Sequence, residues 1–272
     1  MNVEAFVRRV VDEDVGRGDL YARVFPPVAA SAKIIAKSEG VLAGVPYVDV
    51  LAKLEGFAVD WNKEDGQDFL PGSVLATLSG DSHTLLRVER PILNMLLHAS
   101  SIATLTRRYA KIVEPYGTIL LDTRKTRPHL REFEKYATRT GGAVNHRMGL
   151  DDCLMLKDTH LKTIDDLEAF MRTARRKIPF TAKIEIEAET FDIAKRAMEV
   201  GADIVMCDNM TPEALGEVVF FKKTHYPHVS LEASGNITLE TIESYAATGV
   251  DAISTGALIH QANWIDLSMK MD

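Results

Sequence analysis

The sequence predicts an α/β protein whose larger part is a repeated βα array closing as a barrel. Two observations predict it. From about residue 115 onward, short apolar runs alternate with amphipathic stretches, and successive run ends lie about 20 to 35 residues apart, which suits βα units. No Gly-rich dinucleotide fingerprint follows any run, which counts against an open doubly wound sheet, the runner-up. Before residue 115 the texture differs, with strand-like runs punctuated by Gly and Pro between two helical stretches.

Residues 3–13 read as a helix with Val3, Phe6, Val7 and Val10 on one face. EDVGRGDL then reads as a loop. Strand-like runs follow at 30–44, 57–62 and 73–80. A long helix over about 83–112 is expected from the spacing of Leu85, Val88, Ile92, Leu96, Ile102 and Leu105. These elements form an expected first domain of residues 1–114, onto which the end of the chain, about 261–272, is free to pack back. In residues 115–272, buried parallel strands are expected at 118–122, 153–157, 182–187, 203–208, 229–233 and 251–255. AVNHR (143–147) is a candidate seventh. Six or seven parallel strands close most naturally as a barrel, whole or incomplete.

The chain has 272 residues, 46% hydrophobic and 26% charged, and a net charge of −7. No apolar run reaches the roughly 18 residues of a membrane span. The N-terminus lacks a signal peptide's apolar stretch, so a cytoplasmic protein is expected. Cys153 and Cys207 sit in apolar runs and read as buried thiols, with no disulfide or zinc spacing. The acidic balance argues against general nucleic-acid binding. Against that background, Arg124, Lys125 and Arg127 follow directly on the apolar GTILLD. A local basic cluster of this kind suits a small anionic ligand.

In βα barrels the chemistry lies at the C-terminal ends of the strands. Those ends carry Asp122, Arg124 and Lys125, then Asn145, His146 and Arg147, then Lys157, Asp158 and His160. Later ends carry Glu185 and Glu187, Asp208 and Asn209, then Glu232, Ser234 and Gly235, and last Ser254, Thr255 and Gly256. Cations can grip carboxylates, Arg with two parallel hydrogen bonds. Acids can hold ribose hydroxyls or a hard cation such as magnesium. Small residues let backbone N–H groups approach a phosphate. The composite suits a phosphorylated sugar beside a carboxylated molecule. Any one strand-end cation is as easily a surface ion pair, and SGN or STG alone only marks a turn. Glu185 and Glu187 alternate with Ile184 and Ile186, so both face inward and need compensating cations.

The run LDTRKTRPHLREFEKYATRTGGAVNHRMGLDDCLMLKDTHL closely resembles the quinolinate phosphoribosyltransferase family, carboxylating nicotinate-nucleotide pyrophosphorylases. EDVGRGDL, EGVLAG, VERPILNMLLHASSIATLTRRY, EIEAET, IVMCDNM, LEASGNI and STGALIH resemble its other landmarks in the right order, over nearly the whole chain. The resemblance implies transfer of the phosphoribosyl group of PRPP to quinolinate with loss of CO2, giving nicotinate mononucleotide and pyrophosphate. It implies an N-terminal α/β sandwich domain and an incomplete α/β barrel of about seven strands. It also implies Mg2+ with PRPP, no organic cofactor, and a homodimer, or a hexamer built from such dimers, in which Arg90 reaches the neighbouring active site. By match of motif, Arg124 and Lys125 face the dianionic substrate and phosphates, with His146 and Arg147 at its carboxylates. Lys157 belongs to a KDNH-like segment, here KDTH with Thr159 in place of Asn. Glu187 and Asp208 lie near ribose and, indirectly, Mg2+. Ser234, Gly235 and Gly256 hold phosphate, with His260 nearby. Lys125, Glu187 and Asp208 are the expected catalytic groups. Three alternatives remain at this point: a related group associated with molybdenum transport, an aldolase using Lys157 as Schiff-base lysine, and a binding barrel without turnover.

Overall fold

The computed structural model describes residues 2–272, which form two compact units. One comprises the chain up to Arg107 with Glu132–Gly142 and Ala262–Asp272; the other comprises Arg108–Arg131 and Ala143–Gln261.

In the first unit, α1 (Val3–Val15) starts where the Asn2 side chain accepts the Glu4 N–H at 3.0 Å, an ordinary N-cap. It buries Phe6, Val7 and Val11. There follow β1 (Ala29–Ala36), β2 (Gly40–Val41), α2 (Val45–Glu55), β3 (Ala58–Trp61), β4 (Asp68–Phe69) and β5 (Val74–Asp81). The helix α3 (Ser82–Val113) is continuous through Pro91 and buries Leu85, Val88, Ile92, Leu96 and Ile102. The division between units falls inside this helix, after Arg107, and not at residue 114.

The second unit holds β6 (Ile119–Leu121), and after it the chain forms α4 (Arg131–Gly141). Residues 132–142, expected within the barrel domain, belong to the first unit. The reason is aromatic: Phe133 stacks on Phe6 with ring centroids 4.9 Å apart and meets Tyr47 edge-on at 4.7 Å. Tyr136 donates its hydroxyl hydrogen to Asp65 and accepts the Gly44 N–H. The remaining elements are β7 (Cys153–Leu156), α5 (Asp158–Leu161), α6 (Leu167–Lys177), β8 (Lys183–Ala188), α7 (Phe191–Glu199), β9 (Ile204–Asp208), α8 (Pro212–His225), β10 (Ser230–Ser234), α9 (Ile242–Ala246), β11 (Ala252–Ser254) and α10 (Ala257–His260). Asp166, Thr190 and Thr211 cap α6, α7 and α8 with side-chain oxygens. The last strand, β12 (Leu267–Met271), returns to the first unit and pairs antiparallel with β1, Met271 opposite Ala32. The sheet there runs β12-β1-β5-β3, with a separate β2-β4 ribbon.

In the second unit the sheet runs β6-β11-β10-β9-β8-β7 with parallel pairs throughout. AVNHR is not a full strand: Val144 makes a single parallel bridge to Leu121 beyond β6. From β8 to that segment is five strand spacings, roughly 24 Å in a flat sheet. Yet His146 Nε2 lies 3.4 Å from Glu185 of β8, so the sheet curls on itself. The open seam, between Val144 and β7, is spanned by Arg147, whose Nη1 donates to the Cys153 carbonyl at 2.9 Å. In β8 every residue from Ile184 to Ala188 is buried, as a strand covered on both faces requires. No helix among the described residues is long and apolar enough to cross a membrane.

Candidate active site

A cavity of about 490 Å³ opens at the C-terminal ends of these strands. Arg124, Lys125, His146, Arg147, Lys157, Glu187, Asp208, Ser234 and Gly235 all line it, with Met155 and Met206 in its wall. A smaller lobe of about 200 Å³ shares Lys125, Ser234 and Gly235 and adds Gly256 and His260. Of the residues given a catalytic or binding role in the sequence reading, Arg90 alone lines neither. It lies on α3 in the first unit, exposed, with Glu89 at 3.5 Å.

The cations are set by the chain around them. Arg131 donates to Thr126 Oγ1 and the Met148 carbonyl, tying the loop after β6 to the loop after Val144. Burial, then the charges of Arg147 and Arg131, lower the pKa of the Arg124 guanidinium. Among the described residues its buried Nε has no hydrogen-bond partner. A buried donor among like charges is a demand for an anion. Lys125 makes no ion pair among the described residues. Gly256 brings the main chain against its stem, since a Cβ there would lie 2.9 Å from Lys125 Cδ.

The acids divide into two sets. Lys157 Nζ donates to Glu187 Oε2 at 2.6 Å. Burial and the charge of Glu187 raise the Asp208 pKa, against Lys157 and Lys125, which lower it. Deeper in, Glu185 and Glu232 meet the His146 ring, with Nε2 3.4 and 3.2 Å from their Oε2 atoms and aligned with neither well enough for a hydrogen bond. Burial opposes charge on that ring, but the two glutamates, taken alone, would outweigh it and push its pKa up to about 10. Cys207 is buried and Cys153 half-buried, and burial raises both thiols to about 12.

Several residues of the site carry no role in the sequence reading. Buried Asp122 accepts Asn145 Nδ2 at 2.6 Å and the His146 N–H at 2.8 Å, fixing the NHR segment. Asn209 and Asn236 sit at φ 55° and 51°, a conformation that Asn tolerates better than most residues. Between them Gly235, at φ 92°, brings its backbone so close to Asn209 that a Cβ would lie 2.3 Å from Asn209 Oδ1. The DN and GN pairs after two strands are the signal that marks these turns.

Comparison with known proteins fits this geometry. The family models described as quinolinate phosphoribosyl transferase, N-terminal and C-terminal domains, match residues 19–100 and 102–270. The chain belongs to the quinolinate phosphoribosyl transferase family. Among relatives in this family, a probable nicotinate-nucleotide pyrophosphorylase [carboxylating] of Synechocystis is 36% identical over 272 residues, covering 99% of this chain and 92% of its own. The human nicotinate-nucleotide pyrophosphorylase [carboxylating] is 36% identical over 244 residues, covering 89% and 82%. The solved NadC structure from Streptococcus pyogenes superposes with a TM-score of 0.93 at 33% identity, covering 99% of this chain and 96% of that one. As a member of the quinolinate phosphoribosyl transferase family, the protein is a phosphoribosyltransferase enzyme.

Proposed function

We infer that the protein transfers the phosphoribosyl group of PRPP to the ring nitrogen of quinolinate and releases CO2, pyrophosphate and nicotinate mononucleotide, in de novo NAD biosynthesis. The observation that carries this reading is one cavity lined by Arg124, Lys125, Arg147 and Lys157 together with two acids, Glu187 and Asp208. A pyridine-2,3-dicarboxylate and a sugar phosphate bearing a diphosphate are both strongly anionic. Four cations suit them, and the two acids suit the ribose hydroxyls between them.

His146 and Arg147 are assigned to the quinolinate carboxylates, Arg124 and Lys125 to those carboxylates and to the phosphates. Ser234, Gly235, Gly256 and His260 are assigned to the phosphate. Gripping two carboxylates orients the ring nitrogen in line with C1 of the ribose. As the bond from C1 to pyrophosphate breaks, Lys125 stabilises the growing negative charge and Glu187 and Asp208 the oxocarbenium-like sugar. The glycosylated ring nitrogen is cationic, so it accepts the electron pair left when the adjacent carboxylate departs. A proton then reaches C2.

Glu187 and Asp208 fit a divalent cation: burial and then the charge of Glu187 hold Asp208 above its usual range, and a cation relieves that repulsion. Mg2+ held there through water or diphosphate oxygens would neutralise charge on the leaving group. Arg90, exposed on α3, is assigned to the cavity of a neighbouring subunit in a homodimer, within the cytoplasm.

The test supplies PRPP and Mg2+ with either carboxylate-labelled quinolinate or nicotinate. CO2 release and nicotinate mononucleotide from quinolinate alone are expected. Folded, PRPP-binding protein that leaves quinolinate untouched would mean a different acceptor.

A further inference from the structure

Beneath the cavity lies a group of side chains that the reaction above does not use. Glu185 on β8 and Glu232 on β10 are buried, line neither part of the cavity, and each has an Oε1 without a hydrogen-bond partner. Their Oε2 atoms flank His146 Nε2 at 3.4 and 3.2 Å. At the other ring nitrogen, Nδ1 accepts the backbone N–H of Arg147 at 2.7 Å. The Cys153 thiol, 3.9 Å from Glu185 Oε2, and the Ser254 hydroxyl beside Glu232 complete the surroundings. Asp122 fixes the backbone behind the ring.

A nitrogen that accepts an N–H must offer its lone pair, so Nδ1 is bare and the ring proton sits on Nε2. Among the described residues, Nε2 faces the two carboxyl groups. They also draw a second proton toward the ring, but Nδ1 is the one place it could go, and the Arg147 N–H occupies it. Burial holds the Glu232 carboxyl above its ordinary range, so a surplus proton is more easily held there than on the ring.

We propose that Glu185 and Glu232 are positioning residues: they hold His146 as its neutral Nε2–H tautomer, and the bare Nδ1 in turn fixes the backbone of Arg147 and so the aim of its guanidinium. This rests on the assignment of Arg147 to the quinolinate carboxylates. It has a chemical corollary. Neither ring nitrogen is free to donate to substrate, so His146 serves the quinolinate carboxylates through Arg147, and C2 is protonated by Lys125 or water.

Long-range 1H–15N NMR of the ligand-free protein at pH 7, with His146 assigned by the signals lost in His146→Gln, reads the tautomer directly. A single proton on Nε2 is expected; an imidazolium or an Nδ1–H ring overturns the proposal. The second test is Glu185→Met/Glu232→Met, a volume-conserving replacement of a kind that buried charged groups often tolerate. The quinolinate KM should rise about tenfold while the PRPP KM stays within about twofold, and the ring signal should average between tautomers. An unchanged quinolinate KM in the folded variant overturns the proposal; if the double variant does not fold, Glu232→Met is read the same way. Native protein that shows the Nε2–H signature but does not bind quinolinate would overturn the role of Arg147 and leave the tautomer standing.

Discussion

Asp208 shows how one side chain depends on its neighbours. Burial and Glu187 raise its pKa, while Lys157, 2.6 Å from Glu187, opposes them. Lys157→Met removes that opposition, so Asp208 keeps its proton to higher pH. The acid limb of kcat/KM for PRPP should therefore move upward in pH; a limb that stays in place would assign it to another group. Arg147 is open to a sharper test. Arg147→Ala should weaken quinolinate binding by about 1.5–3 kcal/mol, roughly 10- to 150-fold, with PRPP binding little changed in calorimetry. Equal losses for both would refute its assignment. The strand-end cations were readable in the sequence because they follow apolar runs, Arg124 and Lys125 the same one. The inward turn of Glu185 was readable too, from its alternation with isoleucines. Its encounter with His146 was not, because the two lie five strands apart in the sheet and meet only when it curls.

Elements whose pattern is local were the legible ones. The six buried strands fall within a residue or two of their expected limits, since a strand covered on both faces writes itself as an unbroken apolar run. The two-residue β2-β4 ribbon has no period to read, and the place of β12 beside β1 is set by a pairing far along the chain. The helix α4 was not singled out in the sequence, and its membership in the first unit rests on its close approach to α3 as well as on the packing of Phe133. A Cβ on Gly141 would lie 2.5 Å from Thr106 Cβ and 2.6 Å from the Ala103 carbonyl oxygen. Arg107 adds hydrogen bonds to the Gly141 and Gly66 carbonyls at 3.0 and 3.1 Å. Gly141→Ala should cost about 1–3 kcal/mol by overpacking and lower the melting temperature by roughly 2–10 °C. A melt identical to that of the native protein would show that the helices separate without penalty.

For the molecule as a whole, the cationic cavity reverses the sign of a chain whose net charge is −7. The nearby cations should outweigh the spread negative charge for anionic substrates. Raising ionic strength from 10 to 100 mM shortens the screening length from roughly 30 to about 10 Å, so both KM values should rise. KM values that fall with salt would mean that the overall repulsion governs encounter. The strand β12 has a different consequence, one of timing. Its Met271 lies opposite Ala32, yet the ribosome makes it roughly 240 residues later. At bacterial or eukaryotic elongation speeds that interval is roughly ten seconds to under a minute. During it the first sheet is finished on one side only, with the hydrogen-bonding edge of β1 bare to any other extended chain nearby. A strand made early is thus among the last to be closed, and the nascent chain is the form most exposed to mispairing.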